Sequence, residues 1–141
     1  MLKVSCALII NRGKILVAQL GADSAHPFQW EFPGGKIKDN ESPESCVKRE
    51  IKEELEVLVK ILTSLESVIY DYGFREVMLI PFVCSIVSGK IALNEHVGIS
   101  WADLSQLSRF NLAEADRKLI EQERNTQILK KYLGEKMDNT R

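Results

Sequence analysis

The sequence predicts an α/β or α+β protein in which a mixed β-sheet is sandwiched between helices. Two observations carry that expectation. Stretches with strand patterning both precede and follow one amphipathic helix, and a second helical stretch closes the chain. A chain of 141 residues suffices for one core and is too short for two. A single domain over residues 1–134 is therefore expected, followed by a polar tail, 135–141.

Taken in order, Val4, Cys6, Leu8 and Ile10 alternate with other residues, and Lys3–Ile10 reads as a strand. Asn11-Arg12-Gly13-Lys14 has turn chemistry, and Ile15–Leu20 returns as a second strand. Residues 21–29, with Asp23, Ser24, His26 and Pro27, read as a loop, and Pro33-Gly34-Gly35 predicts an irregular segment. Ser42-Pro43 marks a helix start, since Ser caps well and Pro is favoured at the first helical position. On a 3.6-residue period Val47, Ile51, Leu55 and Leu58 share one side, the expected buried face. Val57–Tyr70 and Glu76–Ser88 are rich in Val, Ile and Leu and read as strands; Pro81 predicts a bulge or an edge in the latter. Gly98–Trp101 is a short strand, and residues 113–133 read as a helix with Leu119, Ile120, Ile128 and Leu129 facing inward.

Composition narrows the function. Nineteen Lys and Arg against twenty Asp and Glu give a formal net charge of −1, which lacks the basic excess of a nucleic-acid-binding surface. No apolar run approaches the roughly 18–20 residues of a membrane span, and Met1-Leu2-Lys3-Val4-Ser5 does not have the order of a signal peptide. Cys6, Cys46 and Cys84 are odd in number and widely spaced, so they form no disulfide framework and no C-x-x-C metal pair. Reduced thiols in a cytoplasmic protein are the simpler reading.

The predicted central helix has a second face. Glu50, Glu53 and Glu54 stand at i, i+3 and i+4, so their carboxylates leave the same side, away from the Val47/Ile51/Leu55 stripe. Taken alone, such a face is an ordinary solvated one, because Glu is a good helix former. Its context is more specific. Gly35, five residues, Glu41, seven residues, Arg49-Glu50-Ile51, one residue and Glu53-Glu54 reproduce a fixed spacing over 23 residues.

That spacing resembles the Nudix box, G-x5-E-x7-R-E-U-x-E-E-x-G-U with U aliphatic, and the chain is identified as a member of the Nudix hydrolase superfamily. Outside the box, Trp30-Glu31-Phe32-Pro33-Gly34-Gly35-Lys36 resembles a segment of MutT-type enzymes, and Glu95, six residues before Trp101, matches a further metal-side acid. Phe110-Asn111-Leu112-Ala113-Glu114-Ala115-Asp116 resembles the segment that meets the base in MutT and in CTP pyrophosphohydrolases, and its Ala-Asp is the form found in the latter branch. The similarity covers roughly Val4 to Ile120.

The resemblance implies the Nudix fold and a Mg²⁺-dependent hydrolysis of a nucleoside triphosphate to monophosphate and pyrophosphate, with Mn²⁺ a possible substitute. Hard cations of this kind take oxygen ligands, neutralise the phosphate chain and lower the pKa of bound water. By resemblance Glu50 and Glu54 are the principal ligands, Glu53 is a further ligand or the general base, and a backbone carbonyl at Gly34 also coordinates. A glycine there lets the main chain approach closely. Gly35 and Glu41 are structural parts of the box. Arg49 is expected to hold Glu41 or Glu50 in its working rotamer. Glu95 is a metal ligand, a base or an exposed loop acid.

Phe32 either stacks on a base or belongs to the core, and Arg75 either contacts substrate or is a solvated strand-end residue. Asp116, which only accepts hydrogen bonds when ionised, suits an exocyclic amino group or an N–H created by base oxidation; otherwise it is a charge at a helix N-terminus. His26 and His96 read as loop histidines.

Modified or oxidised nucleotides, of the 8-oxo-dGTP or 5-modified dCTP/CTP type, are the expected substrates, with no stable nucleic-acid partner and a monomeric or homodimeric state. ADP-ribose or dinucleoside polyphosphate hydrolysis is the sister reading. A non-catalytic nucleotide sensor is the reading from a different class, although sensors of this fold generally lose the box glutamates. Two positions depart from the family pattern. Glu56 stands where the box has Gly, which predicts a shifted helix end, and Leu20 follows Gln19 where many relatives have an Arg that contacts substrate.

Overall fold

The computed structural model describes residues 1–134; the predicted tail, 135–141, lies outside the described residues. The elements run β1 (Leu2–Asn11), β2 (Lys14–Gln19), β3 (Trp30–Glu31), β4 (Gly34–Lys36), α1 (Pro43–Leu55), β5 (Leu58–Ser64), β6 (Val68–Asp71), β7 (Glu76–Ser88), β8 (Gly98–Ala102), α2 (Leu104–Leu107), α3 (Glu114–Glu121) and α4 (Glu123–Tyr132). β1 lies parallel to β7, from Leu2 opposite Val77 to Ile9 opposite Cys84, and the other pairings are antiparallel, so the sheet is mixed.

Alternation along the strands divides two apolar layers. Ala7, Ile9, Leu16, Ala18, Phe82 and Cys84 pack with Val47, Ile51 and Leu55 of α1. Cys6, Leu8, Ile15, Val17, Leu79 and Val83 pack on the opposite face with Leu119 of α3 and Leu129 of α4. The predicted sandwich is therefore the observed architecture. Cys6, Cys46 and Cys84 are buried free thiols. Among the described residues no helix is long and apolar enough to cross a membrane.

The part of the fold that matters for function is a fork. β1 and β2 pair only at their hairpin end, Ile10 with Ile15 and Asn11 with Lys14, and then separate. Residues 30–36 occupy the gap. Trp30 and Glu31 pair with Gln19 and Ala18 of β2, the chain crosses at Phe32-Pro33, and Gly34, Gly35 and Lys36 pair with Cys6, Ser5 and Val4 of β1. The Pro33 carbonyl accepts from the Ala7 amide at 2.9 Å on the way across. Gly34 and Gly35 thus lie in a strand, contrary to the irregular segment expected. Glycine is what this strand needs, since a Cβ on Gly34 would fall 2.0 Å from the Ser5 carbonyl oxygen.

Other boundaries also differ from the sequence reading. Residues 57–70 form two strands that share β7 as partner, and Leu58 is half exposed on β5 instead of sharing the buried helix face. Pro81 lies inside β7 at the junction between these partners. Its carbonyl accepts from the Leu65 amide, so its missing donor faces the gap between β5 and β6 and costs no ladder bond. The register between β5 and β7 shifts away from Pro81, once between Ile61 and Thr63 of β5 and once between Ile86 and Ser88 of β7. The C-terminal helix is broken at Gln122, whose extended backbone (φ −66°, ψ 124°) ends α3 and caps α4 through its side chain to the Asn125 amide. The short α2, with an Asp103/Gln106 capping box, was not anticipated. Glu56 does not shift the helix end: α1 stops at Leu55 and Glu56 itself adopts φ 61°, ψ 29°, a left-handed conformation that costs a residue with a Cβ about 1–2 kcal/mol.

Candidate active site

Helix α1 supplies the acids. Ser42 caps it by accepting the Ser45 amide at 3.0 Å, and burial of Val47, Ile51 and Leu55 fixes its rotation about its axis. That rotation separates the three box glutamates. Glu54 is 3% exposed, the Glu50 side chain 15% and the Glu53 side chain 53%.

Arg49 organises this face and resolves the alternatives left by the sequence, because it holds both expected partners. Its Nε and Nη2 donate to the two Glu41 oxygens at 2.6 and 3.0 Å, and its Nη1 donates to Glu50 Oε2 at 2.8 Å and to Glu53 Oε1 at 3.2 Å. Glu41 also accepts the Lys38 amide at 3.0 Å. The Arg49 hydrogen bonds, then the Lys38 amide, hold the Glu41 carboxyl down at about 2. Gly35 closes the arrangement from β4: a Cβ there would lie 2.3 Å from both Cδ and Oε1 of Glu50. The bare glycine is the space that the Glu50 carboxylate occupies.

Glu95 arrives from the loop between β7 and β8. That loop is fastened to the end of α1: the Ala92 amide donates to the Leu55 carbonyl at 3.0 Å, the Asn94 amide to the Glu54 carbonyl at 3.0 Å, and Asn94 Nδ2 to the Glu53 carbonyl at 2.8 Å. As a result Glu50, Glu54 and Glu95 each present a carboxylate oxygen within 4.8 Å of the others. Glu53 is not in this group.

A divalent cation fits the donor set. Among the described residues Glu54 Oε1 is buried without a hydrogen-bond partner, and the group consists of hard oxygen ligands on converging side chains. Burial, a hydrogen bond with Glu50 and the charges of Glu31, Glu95 and Glu50 push the Glu54 carboxyl up to about 10. So much uncompensated carboxylate is what a bound cation relieves. Glu54 and Glu95 line an open cleft of about 430 Å³, bounded also by Leu20–Ser24, Glu31, Gly34, His96 and Val97.

Glu31 and His96 were missed as site residues. His96 lies in the loop between β7 and β8, as expected of a loop histidine, but it is buried there with Nε2 2.9 Å from Glu31 Oε2. Strand alternation at Trp30-Glu31 and the Glu95-His96 adjacency were the available signals, but the pairing joins residues 65 apart in sequence. His26 is exposed, as expected, with its ring 6.0 Å from that of Tyr72.

A second group forms beside the fork. The Trp30 amide donates to the Asn111 carbonyl and the Ala113 amide to the Trp30 carbonyl, both at 2.9 Å, which straps the start of α3 to β3. Asp116 Oδ2 then accepts the Phe32 amide at 2.7 Å. Asp116 is buried, and burial followed by the charge of Glu31 pushes its carboxyl well above the usual range, against the Phe32 amide. Phe32 belongs to the core at 3% exposure, so it offers no free face to a base here. Tyr72 was not among the expected site residues; its hydroxyl accepts the Ala115 amide at 3.1 Å beside Asp116. Arg75 sits exposed in the turn between β6 and β7, where its backbone carbonyl accepts the Tyr72 amide.

Comparison with known proteins agrees with this geometry. Residues 1–122 match the NUDIX domain. The chain belongs to the Nudix family. It is 31% identical over 121 residues to the CTP pyrophosphohydrolase of Escherichia coli (strain K12), covering 86% of this chain and 90% of that one. It is 34% identical over 98 residues to the 8-oxo-dGTP diphosphatase of Proteus vulgaris, covering 69% and 86%. Among solved structures, the E. coli ORF135 protein superposes with a TM-score of 0.75 at 31% identity, covering 86% of each chain. The MutT protein from Methanosarcina mazei Go1 gives 0.79 at 26% identity, covering 90% and 94%. The chain is thus a Nudix hydrolase related to nucleotide diphosphatases and triphosphatases.

Proposed function

We propose that this Nudix hydrolase is a divalent-metal-dependent pyrophosphohydrolase that cleaves (deoxy)nucleoside triphosphates to monophosphate and pyrophosphate. Its substrates are modified or oxidised nucleotides of the 8-oxo-dGTP or 5-modified dCTP/CTP type, and its role is sanitising the nucleotide pool in the cytoplasm. The observation that carries the reading is the convergence of Glu50, Glu54 and Glu95 within 4.8 Å, with Glu54 and Glu95 lining the cleft. Mg²⁺ bound there would neutralise phosphate charge and lower the pKa of a bound water.

The chain's own residues do the rest. Glu50, Glu54 and Glu95, with the Gly34 carbonyl, hold the cation. Arg49, fixed by Glu41, keeps Glu50 in position, and Glu53, beside them and open to solvent, serves as a further ligand or the general base. A cleft lined by Glu31, Glu54 and Glu95 repels a bare triphosphate, so substrate binding requires the cation. Asp116 reads the base. Held against the Phe32 amide with its carboxyl pushed up, it can present a proton as well as accept one. Leu20, at the cleft wall, leaves the arginine contact of many relatives unmade, which shifts specificity toward what Asp116 selects.

The test is hydrolysis of dCTP, 5-methyl-dCTP, dGTP, 8-oxo-dGTP, dATP, ADP-ribose and diadenosine tetraphosphate with Mg²⁺, separating pyrophosphate from phosphate release. Pyrophosphate from a triphosphate is the expected result, with Asp116→Asn reordering cytosine against guanine substrates. Activity confined to ADP-ribose or the dinucleotide would refute the triphosphate reading. Silence on every compound by folded protein would favour a sensor.

A further inference from the structure

An α-helix leaves its last four carbonyls without partners in the helix. In α1 these belong to Lys52, Glu53, Glu54 and Leu55, and each is satisfied. The Glu56 amide takes Lys52 at 3.1 Å, Asn94 Nδ2 takes Glu53 at 2.8 Å, the Asn94 amide takes Glu54 at 3.0 Å and the Ala92 amide takes Leu55 at 3.0 Å. Asn94 therefore uses both its main chain and its side chain on consecutive carbonyls of the helix that carries Glu50 and Glu54. Only a side chain that donates can do this, because the helix end is the negative pole of its dipole.

The residue after Asn94 is Glu95. On its far side, His96 Nε2 meets Glu31 at 2.9 Å and the Val97 amide donates to the Gln19 carbonyl at 2.9 Å. Glu95 is itself exposed, and the chain around it is anchored on both flanks.

We propose that Asn94 is a positioning residue for the cation site: its side-chain bond to the Glu53 carbonyl registers the loop on α1 and sets Glu95 against Glu50 and Glu54. This rests on the metal-site reading above. Asn94 touches neither cation nor substrate; it acts through Glu95. Removing its amide leaves the two main-chain bonds in place, so the fold survives while Glu95 gains freedom. Partners that orient ligands in this way typically change metal affinity by about 10–100-fold, and the main-chain bonds that remain on both flanks place Asn94 near the low end.

The experiment is Mn²⁺ titration of the full chain by calorimetry, with metal-free melting temperatures measured in parallel. The proteins are the wild type, Asn94→Ala, Glu95→Gln and the double variant. Expected are about a 10-fold weaker Mn²⁺ affinity in Asn94→Ala, a loss in Glu95→Gln, and no further loss in the double variant, since Asn94 then has nothing to position. Unchanged affinity in Asn94→Ala, or losses that add in the double variant, would overturn the proposal. Should Asn94→Ala melt much earlier without metal, Asn94→Ser, which keeps a hydroxyl donor, must show a smaller affinity loss than Asn94→Ala; an equal loss would overturn the proposal. Failure of the underlying reading looks different: the wild type would bind no Mn²⁺, or Glu54→Gln would bind it as tightly.

Discussion

Gly34→Ala and Gly35→Ala add the same methyl group to adjacent residues of β4 and are expected to fail in different ways. The Cβ of Gly35→Ala would start 2.3 Å from the Glu50 carboxyl, and the 3.0 Å that real contacts require forces that carboxyl back by about 0.7 Å at least. Glu50 can retreat, because the obstacle is the end of a side chain. Retreat strains its 2.8 Å hydrogen bond from Arg49, worth about 1 kcal/mol of stability. The larger cost is functional: misplacing a reacting group by about 1 Å can lower turnover about 10²-fold. In Gly34→Ala the methyl meets main chain, 2.0 Å from the Ser5 oxygen and 2.7 Å from Cys6 Cα, so β4 must leave its register on β1. That variant is expected to lose several kcal/mol, beyond the roughly 1–3 kcal/mol of ordinary overpacking. Melting curves and pyrophosphate release with Mg²⁺, measured on both, separate the two modes. A well-folded Gly35→Ala with wild-type turnover and Mn²⁺ affinity would refute the placement of Glu50.

Two further outcomes are expected. Glu56→Gly should relieve the left-handed strain at φ 61° and stabilise by about 1 kcal/mol, raising the melting temperature by about 3 °C with activity unchanged; a lower melting temperature would show that the Glu56 side chain is needed there. Glu41, held at about 2 from an ordinary 4.5 chiefly by Arg49, contributes stability that is present above pH 4.5 and lost as pH falls through about 2. Glu41→Gln should therefore be less stable than wild type at neutral pH and lose less between pH 4.5 and 2, as read by urea midpoints at several pH values; parallel losses in the two proteins would remove the clamp from the account.

Much of the site was legible because the box lies on one helix. A carboxylate at every third or fourth residue must share a face with its neighbours, and Ser42-Pro43 fixes where that helix begins, so Glu50, Glu53 and Glu54 could be placed together from spacing alone. Arg49 was assigned to Glu41 or Glu50 by the resemblance to the family pattern, and the structure adds that one guanidinium serves both. Strand alternation likewise set Val4, Cys6, Leu8 and Ile10 of β1 on one face.

What spacing could not reach are contacts set by where the sheet divides. Periodicity describes a regular element, whereas residues 30–36 change partner strand midway, so Gly34 and Gly35 looked like a turn and proved to be a strand with no room for side chains. The extended backbone at Gln122 that splits the C-terminal helix, and the choice of Glu95 over Glu53 as the third member of the acid cluster, have the same origin. Sequence by itself determined the family, the helix that carries the acids and the layers of the sandwich, because each follows from local periodicity and a contiguous motif. Only the tertiary structure decided that Asn94 delivers Glu95 to that helix, that His96 pairs with Glu31 and that Phe32 is core, because burial and long-range hydrogen bonds depend on which distant segments the forked sheet brings together.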